Sequence, residues 1–494
     1  MTDLIEGPAW APHHLDVRAG RFPLSVEAHL LNMTAKLVPG ATTVTINARY
    51  YALHGLVALE ADRRGLDREA TSDLLRRCEV VVAGASVVHP NATAGFAHGH
   101  DKVKPRLGAD GALDVAGLST PKSGYAMPRW GFLGPYVGSE LTLRILAGTS
   151  LEPGSRLDAN ALREGFPGLF ELASQDTVTM PELTSAEALA IGVSSSAPDG
   201  AWLARLLCAV AVDDESKVDL TRRGTIRLLA RAATVAPGPS ITSSFRDLVA
   251  YGAGLQTDPV AASTPEAEAW RGTLFRHDSV GAWRRLWAWL VRQINGHTTP
   301  TEIIAAMVAA LPGGTLADFL DDLPPTVDPL GDPAQAEDLK RGEGLEVPTE
   351  CLALLALGAQ RTRELTGHAR AALVGAEARP TVLSPLWMDR WLEDRTGMAM
   401  PDVADELVTL LLDRSQRIAM RKMRVGKDGR IWLPTRVHER GDFLYKIGDE
   451  GSGNVGLRLD QLAGILAALG VLDRDRAGWS VTAMGDELLD VAGT

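Results

Sequence analysis

Aromatic residues make up only 5% of this 494-residue chain, and it holds just 3 cysteines. Scarce aromatics argue against a β-rich fold or a protein built to stack ligands. Cys78, Cys208 and Cys351 lie far apart in apolar, helix-like surroundings. That spacing excludes a metal knuckle and points to buried thiols in a reducing compartment, so the cytoplasm is the expected location. The apolar runs at 206–212 and 303–311 fall well short of the ~20 residues of a membrane span. The N-terminus carries Asp3 and Glu6 and lacks the basic segment and apolar core of a secretory signal. No membrane association is expected. Also missing are G-x-x-x-x-G-K-[ST], H-E-x-x-H, G-x-S-x-G and any C-x-x-C pair, so no cofactor, metal or catalytic residue is assigned. There is no internal repeat and no low-complexity tract.

What is present is ordinary globular material, 45% hydrophobic and 23% charged. The length suits three or four domains. The formal charge of −12 disfavours indiscriminate attraction to polyanions, so any such site must be local. Helical periodicity recurs at 24–36, 49–63, 67–78, 132–146, 201–212, 221–233, 279–294, 350–374, 386–395 and 403–424, with Thr221 the candidate cap of its segment. The apolar stretch 79–88 fits helix or strand equally. Trp270, Trp283, Trp287 and Trp289 read as packing between helices. The predicted fold is mainly α and multidomain, with a C-terminal winged-helix-like α+β module. Its parts are an N-terminal helical domain at 1–150 containing a long loop at 89–129, a central helical domain at 151–320, and a linker at 321–348 marked by Pro324, Pro325, Pro329 and Pro333. A helical domain at 349–412 follows, and then the basic helix and module at 413–494.

The local charge pattern points to the last of these. Between Arg414 and Arg440 there are nine Lys or Arg against Asp428 and Glu439. Arg414, Arg417, Arg421 and Arg424 recur at three- and four-residue steps, so a helix lines them along one side, where they can neutralise phosphates without reading bases. The plainer alternative is a solvated face balanced by the acidic remainder of the chain. Strands at 430–437 and 442–447, a helix at 458–469 ended by Gly470, a tip at 473–478, a strand at 479–481 and a closing helix capped by Thr482 follow the order in which winged-helix modules often end. Arg458 then starts the helix that enters a groove in DNA-reading relatives, with Arg474 and Arg476 on the wing. Such modules also serve as protein docking domains. The run Gly451-Ser452-Gly453-Asn454-Val455-Gly456 matches G-x-G-x-x-G, but the ~40 residues after it are too few for a dinucleotide-binding sheet, and it reads as a turn. In the long loop, His98, His100 and Asp101 lie together, followed by Lys102, Lys104, Arg106, Lys122 and Arg129. The two histidines lack the further ligands a metal needs.

Leu37-Val38-Pro39-Gly40-Ala41-Thr42-Thr43-Val44-Thr45, followed by Arg49-Tyr50-Tyr51, resembles a group of uncharacterised helical bacterial proteins often encoded near phage-defence or mobile-element genes. The resemblance returns at Leu220-Thr221-Arg222-Arg223-Gly224, at Ala419-Met420-Arg421-Lys422-Met423 and in the 458–485 module. It implies an accessory or sensing component of a multi-gene defence system, and it implies no reaction. Tyr50 and Tyr51, adjacent on a helix, point in different directions, with one expected to pack inward. The resulting expectation is a non-enzymatic subunit of an anti-phage or DNA-handling complex. It would contact duplex DNA or protein subunits, with Arg414, Arg417, Arg421, Arg424, Arg458, Arg474 and Arg476 supplying phosphate contacts. A kleisin-like scaffold bridging an ATPase is the alternative. A nuclease or hydrolase using the His98–Asp101 loop is the third reading.

Overall fold

The computed structural model describes residues 15–90, 96–107, 111–125, 130–210, 215–339, 346–375 and 382–492. The chain is mainly helical. Among the described residues no helix is long and apolar enough to cross a membrane. In chain order, the elements that matter below begin with strand β1 (Leu15–Arg18) and helices α1 (Arg49–Arg64), α2 (Arg68–Val88), α3 (Leu133–Thr142), α4 (Lys217–Val235), α5 (Glu266–Gln293), α6 (Val347–Glu364) and α7 (Met400–Lys422). Strands β2 (Arg424–Val425), β3 (Ile431–Pro434), β4 (Val437–Arg440) and β5 (Phe443–Lys446) follow, then helix α8 (Leu459–Ala468), strands β6 (Leu472–Arg474) and β7 (Trp479–Val481), and helix α9 (Ala483–Leu489).

These elements gather into two compact units rather than the five consecutive segments expected. The first comprises Met1–Met33, Ala250–Ala253 and Glu268–Val455, and the second Thr34–Val249, Gly254–Ala267 and Gly456–Thr494. The expected 413–494 module is therefore shared between them, divided after Val455.

In the second unit, α1 stops at Gly65, whose φ of 64° is the left-handed conformation that closes a helix most readily with glycine. Asp67 then starts α2, its carboxylate accepting from the amides of Glu69 and Ala70 at 3.0 and 2.9 Å. The ambiguous stretch 79–88 continues α2. Val80, Val81 and Val82 are all fully buried, and a helix buried on every side loses the periodicity by which sequence distinguishes it from a strand. The N-cap of α4 is Ser216, five residues upstream of Thr221. A capping box forms between Ser216 and Asp219, so the acidic residue three positions after the cap decided the start.

The region expected as a structureless loop, 89–129, carries short helices at His100–Val103, Lys104–Arg106 and Val115–Ser119. It also carries a strand, Leu113–Asp114, that pairs antiparallel with Thr177–Val178. Val103, Leu113, Val115, Leu118 and Tyr125 are buried and anchor it, despite its high content of Gly, Pro and Lys. Arg129 lies outside the described residues. At the C-terminal end, Gly470 with φ 76° follows α8, β6 and β7 pair antiparallel with Leu472 opposite Val481, and Thr482 caps α9 by accepting from the Gly485 amide at 2.9 Å.

In the first unit, α5 is the longest helix described, and Trp270, Trp283 and Trp287 on it are fully buried. The proline-rich stretch expected as a linker is instead packed within this unit. The guanidinium of Arg361, on α6, is buried there and donates to both Glu337 carboxylate oxygens at 2.9 and 3.0 Å, to the Ala334 carbonyl at 2.6 Å and to the Thr326 carbonyl. A buried arginine with this many donors requires a fixed shell of acceptors, and the stretch from Thr326 to Glu337 supplies it. At the far end of the unit, β1 joins β3 in parallel, placing Asp16 beside Trp432, and β2 joins the other side of β3 antiparallel, placing Arg424 beside Trp432.

Candidate functional site

The basic segment of the first unit begins on α7. Its apolar side, including Val403, Leu407, Leu411 and Ile418, is buried, which turns the arginine side outward. Arg417 and Arg421 are exposed, as is Arg424 just beyond the helix. Among the described residues none of the three is paired with a carboxylate. Arg414 differs. It is half-buried, its Nε donates to the Leu24 carbonyl at 2.6 Å, and burial together with the Arg421 and Arg417 charges lowers its pKa. Lys422 is similarly committed, donating to the carbonyls of Arg21 and Phe22 at 2.7 and 2.9 Å. These two cations fasten the N-terminal segment, leaving Arg417, Arg421 and Arg424 as the exposed set.

Apolar side chains are interleaved with that set. Met420, Met423 and Val425 are 57%, 41% and 68% exposed, and Trp432 is 42% exposed. Arg414, Arg417 and Arg421, with Val382 and Met420, line an open groove of about 640 Å³. On the adjoining sheet the Arg18 guanidinium lies 4.5 Å over the Trp432 ring, held by Asp16 at 2.6 Å. Lys427 and Arg430 are exposed in the β2–β3 turn, the latter loosely paired with Asp428 at 3.7 Å.

The other three expected phosphate contacts belong to the second unit. Arg458 is half-buried, in the left-handed conformation at the start of α8, and donates to the Ala41 carbonyl at 2.9 Å. Burial lowers its pKa. It is an internal clamp. Arg474 and Arg476 are exposed near the β6–β7 tip, with Arg474 5.2 Å over the Trp479 ring. They alternate with exposed Asp473 and Asp475, which cancels most of the tip's charge. The outward positions of α8 include Asp460 and Gly464, and no basic side chain follows Arg458 along it. The Gly451–Gly456 run forms no phosphate cradle. Its Gly453 carbonyl accepts from Arg284 Nε at 2.7 Å, and Asn454 donates to the His277 carbonyl at 2.8 Å, so the turn is fastened to α5.

A second cluster, which sequence reading missed, lies inside the second unit. His54 on α1 stands between Glu140 on α3 and Glu79 on α2, all three fully buried. Its Nδ1 is 2.6 Å from Glu140 Oε1, while Nε2 lies 3.6 Å from Glu79 Oε1, beyond hydrogen-bond reach. Burial alone would depress the imidazole pKa, but the Glu140 and Glu79 carboxylates outweigh it and raise it to about 9. Burial raises both carboxyls, against the opposing pull of His54. Glu79 Oε1 also accepts from the Phe132 amide at 2.9 Å.

His98 joins this region from the former loop. Its Nε2 lies 2.9 Å from the Tyr136 hydroxyl and its amide donates to the Tyr50 hydroxyl at 3.0 Å. Burial, reinforced by the His54 charge, lowers its pKa to about 4. His100 does not share this setting and stacks on exposed Phe96 at 4.3 Å. Tyr50 and Tyr51 are both fully buried, the second donating to the Gly40 carbonyl at 2.9 Å. Among the described residues no group of three His, Cys, Asp or Glu is placed to hold a metal. In the His54 cluster the two imidazole nitrogens face different carboxylates, which makes it an ion-paired pin between three helices. The available signal was a lone acid inside an apolar run, at Glu79 and again at Glu140.

No family model, curated protein or solved structure matches this chain.

Proposed function

We propose that this chain is a non-enzymatic nucleic-acid-contacting subunit whose polyanion surface is the end of α7 together with the β2–β3 hairpin. The observation that carries this reading is that Arg417, Arg421 and Arg424 are exposed with no carboxylate partner among the described residues, in a chain of net charge −12. An acidic protein gains by neutralising surface arginines internally, so three left exposed together suit an external anion. The winged-helix-like α8–β6–β7–α9 piece is assigned to docking a protein subunit rather than to reading bases. Its leading helix carries Asp460 outward, and Arg458, the residue that starts that helix, is committed to the Ala41 carbonyl. This division of labour fits an accessory component of a bacterial defence or DNA-handling complex.

Fluorescence anisotropy of a labelled duplex against the full chain tests the reading. Three phosphate contacts give a salt slope of about −2.7, so affinity should fall roughly 40-fold between about 50 and 200 mM salt. The triple charge reversal Arg417→Glu, Arg421→Glu, Arg424→Glu should abolish binding. Absence of nucleic-acid binding at low salt, or binding indifferent to the reversal, overturns it.

A further inference from the structure

Resting on that reading, we infer that the exposed face of the β1–β3–β2 sheet binds a nucleic-acid single strand, with Trp432 and Arg18 as the base-stacking platform. The pairing register sets the face. Asp16 and Arg424 flank Trp432 directly on the two neighbouring strands, and Arg18, two residues on from Asp16, returns to the same side over the indole ring. One indole and one guanidinium plane are thus layered in the middle of a small sheet, with Arg424 at its edge and Arg421 on the helix leading into it. The Asp16 carboxylate, accepting from Arg18 Nε at 2.8 Å, orients the guanidinium.

The composition makes this placement informative. Aromatics are 5% of the chain and Trp270, Trp283 and Trp287 of α5 are fully buried, whereas Trp432 is 42% exposed among cations. An apolar ring left in water beside arginines is poorly explained by phosphate contact, which needs charge and hydrogen-bond donors only. In a duplex the base faces are covered by their neighbours and the grooves offer edges. In a single strand each base has an open π-face that stacks on aromatic rings and guanidinium planes. The sheet is also small. Its longest strands have 4 residues and its three strands span about 10 Å across, which matches a run of two or three bases. Met423 and Val425, 41% and 68% exposed, offer apolar contact to bases and sugars along the way.

The test uses the full chain with a labelled oligothymidylate of about 20 nucleotides, a duplex of equal length, and vesicles rich in phosphatidylserine. The single strand should bind more tightly than the duplex. Trp432→Ala should weaken single-strand binding roughly tenfold or more, a clearly larger loss than it causes for the duplex, and Trp432→Phe should restore most of the loss. Titration with the unlabelled single strand should quench indole fluorescence in the wild type more than in Trp432→Ala. If duplex binds but the single strand binds no more tightly and Trp432→Ala changes neither, this inference falls and the polyanion surface stands. If neither nucleic acid binds at low salt, both fall. Trp432-dependent binding to the vesicles without binding to the oligonucleotide would assign the face to a membrane surface and overturn it.

Discussion

The His54 pin makes the stability of the second unit fall with rising pH in a range where most proteins change little. The imidazole moves from an ordinary value of 6.5 to about 9 on folding. A group whose pKa is raised by folding contributes stability that is complete below its unfolded value and lost as pH rises through its folded value. At ~1.4 kcal/mol per unit, the His54 contribution present at pH 6.5 and lost by pH 9 is about 3 kcal/mol. His54 and both carboxylates are fully buried, so solvent screens little of it. Glu79 and Glu140 are raised as well, and their contributions carry the same sign at lower pH. Replacing His54→Gln keeps a hydrogen-bonding side chain and removes the titration. Urea unfolding followed by far-UV circular dichroism at pH 6.5, 7.5 and 9 should then show the wild type losing about 3 kcal/mol more than the variant. With a slope of ~3 kcal/mol per molar urea this is a midpoint difference of about 1 M. Parallel pH dependence in the two proteins would refute the reasoning, because it would mean that His54 titrates alike in the folded and unfolded chains.

Two further outcomes follow from buried groups. Arg361→Met should destabilise the first unit by about 3–5 kcal/mol, because it leaves the buried Glu337 carboxylate without its partner. Limited proteolysis should then cut within 322–339 well before it cuts the wild type, and equal cleavage rates would show that the segment does not depend on Arg361. Burial pushes the Cys208 thiol up to about 12 and the Cys351 thiol up to about 11, and raises Cys78 as well. All three should resist Ellman's reagent in the native protein and react together in denaturant, and a thiol that reacts at once in the native state would contradict its burial.

Much of the helical framework was legible because its signals are local. Asp67, Gly65, Gly470 and Thr482 act within one turn of their own helices, and the period of apolar residues located α7 and α8 to within a few residues. Signals failed where the deciding contact lay far along the chain. The prolines of 321–348 read as a linker, yet the acceptors they position are claimed by Arg361. The glycines and lysines of 89–129 read as a loop, yet Tyr125 within it is drawn to the Glu79 carbonyl, 46 residues away.

The candidate surface divides in the same way. The sequence by itself determined that α7 would end in a row of arginines, because helical spacing needs only the spacing of the residues. It also determined that the surrounding chain would be acidic. Which of those arginines remain available was decided only by tertiary structure. Arg414 lies against Leu24 and Arg458 against Ala41, while Arg417, Arg421 and Arg424 stay outward. The sheet that sets Arg18 over Trp432 joins residues more than four hundred positions apart. No local pattern encodes such a pairing, because its register arises from the packing of the whole unit rather than from either strand.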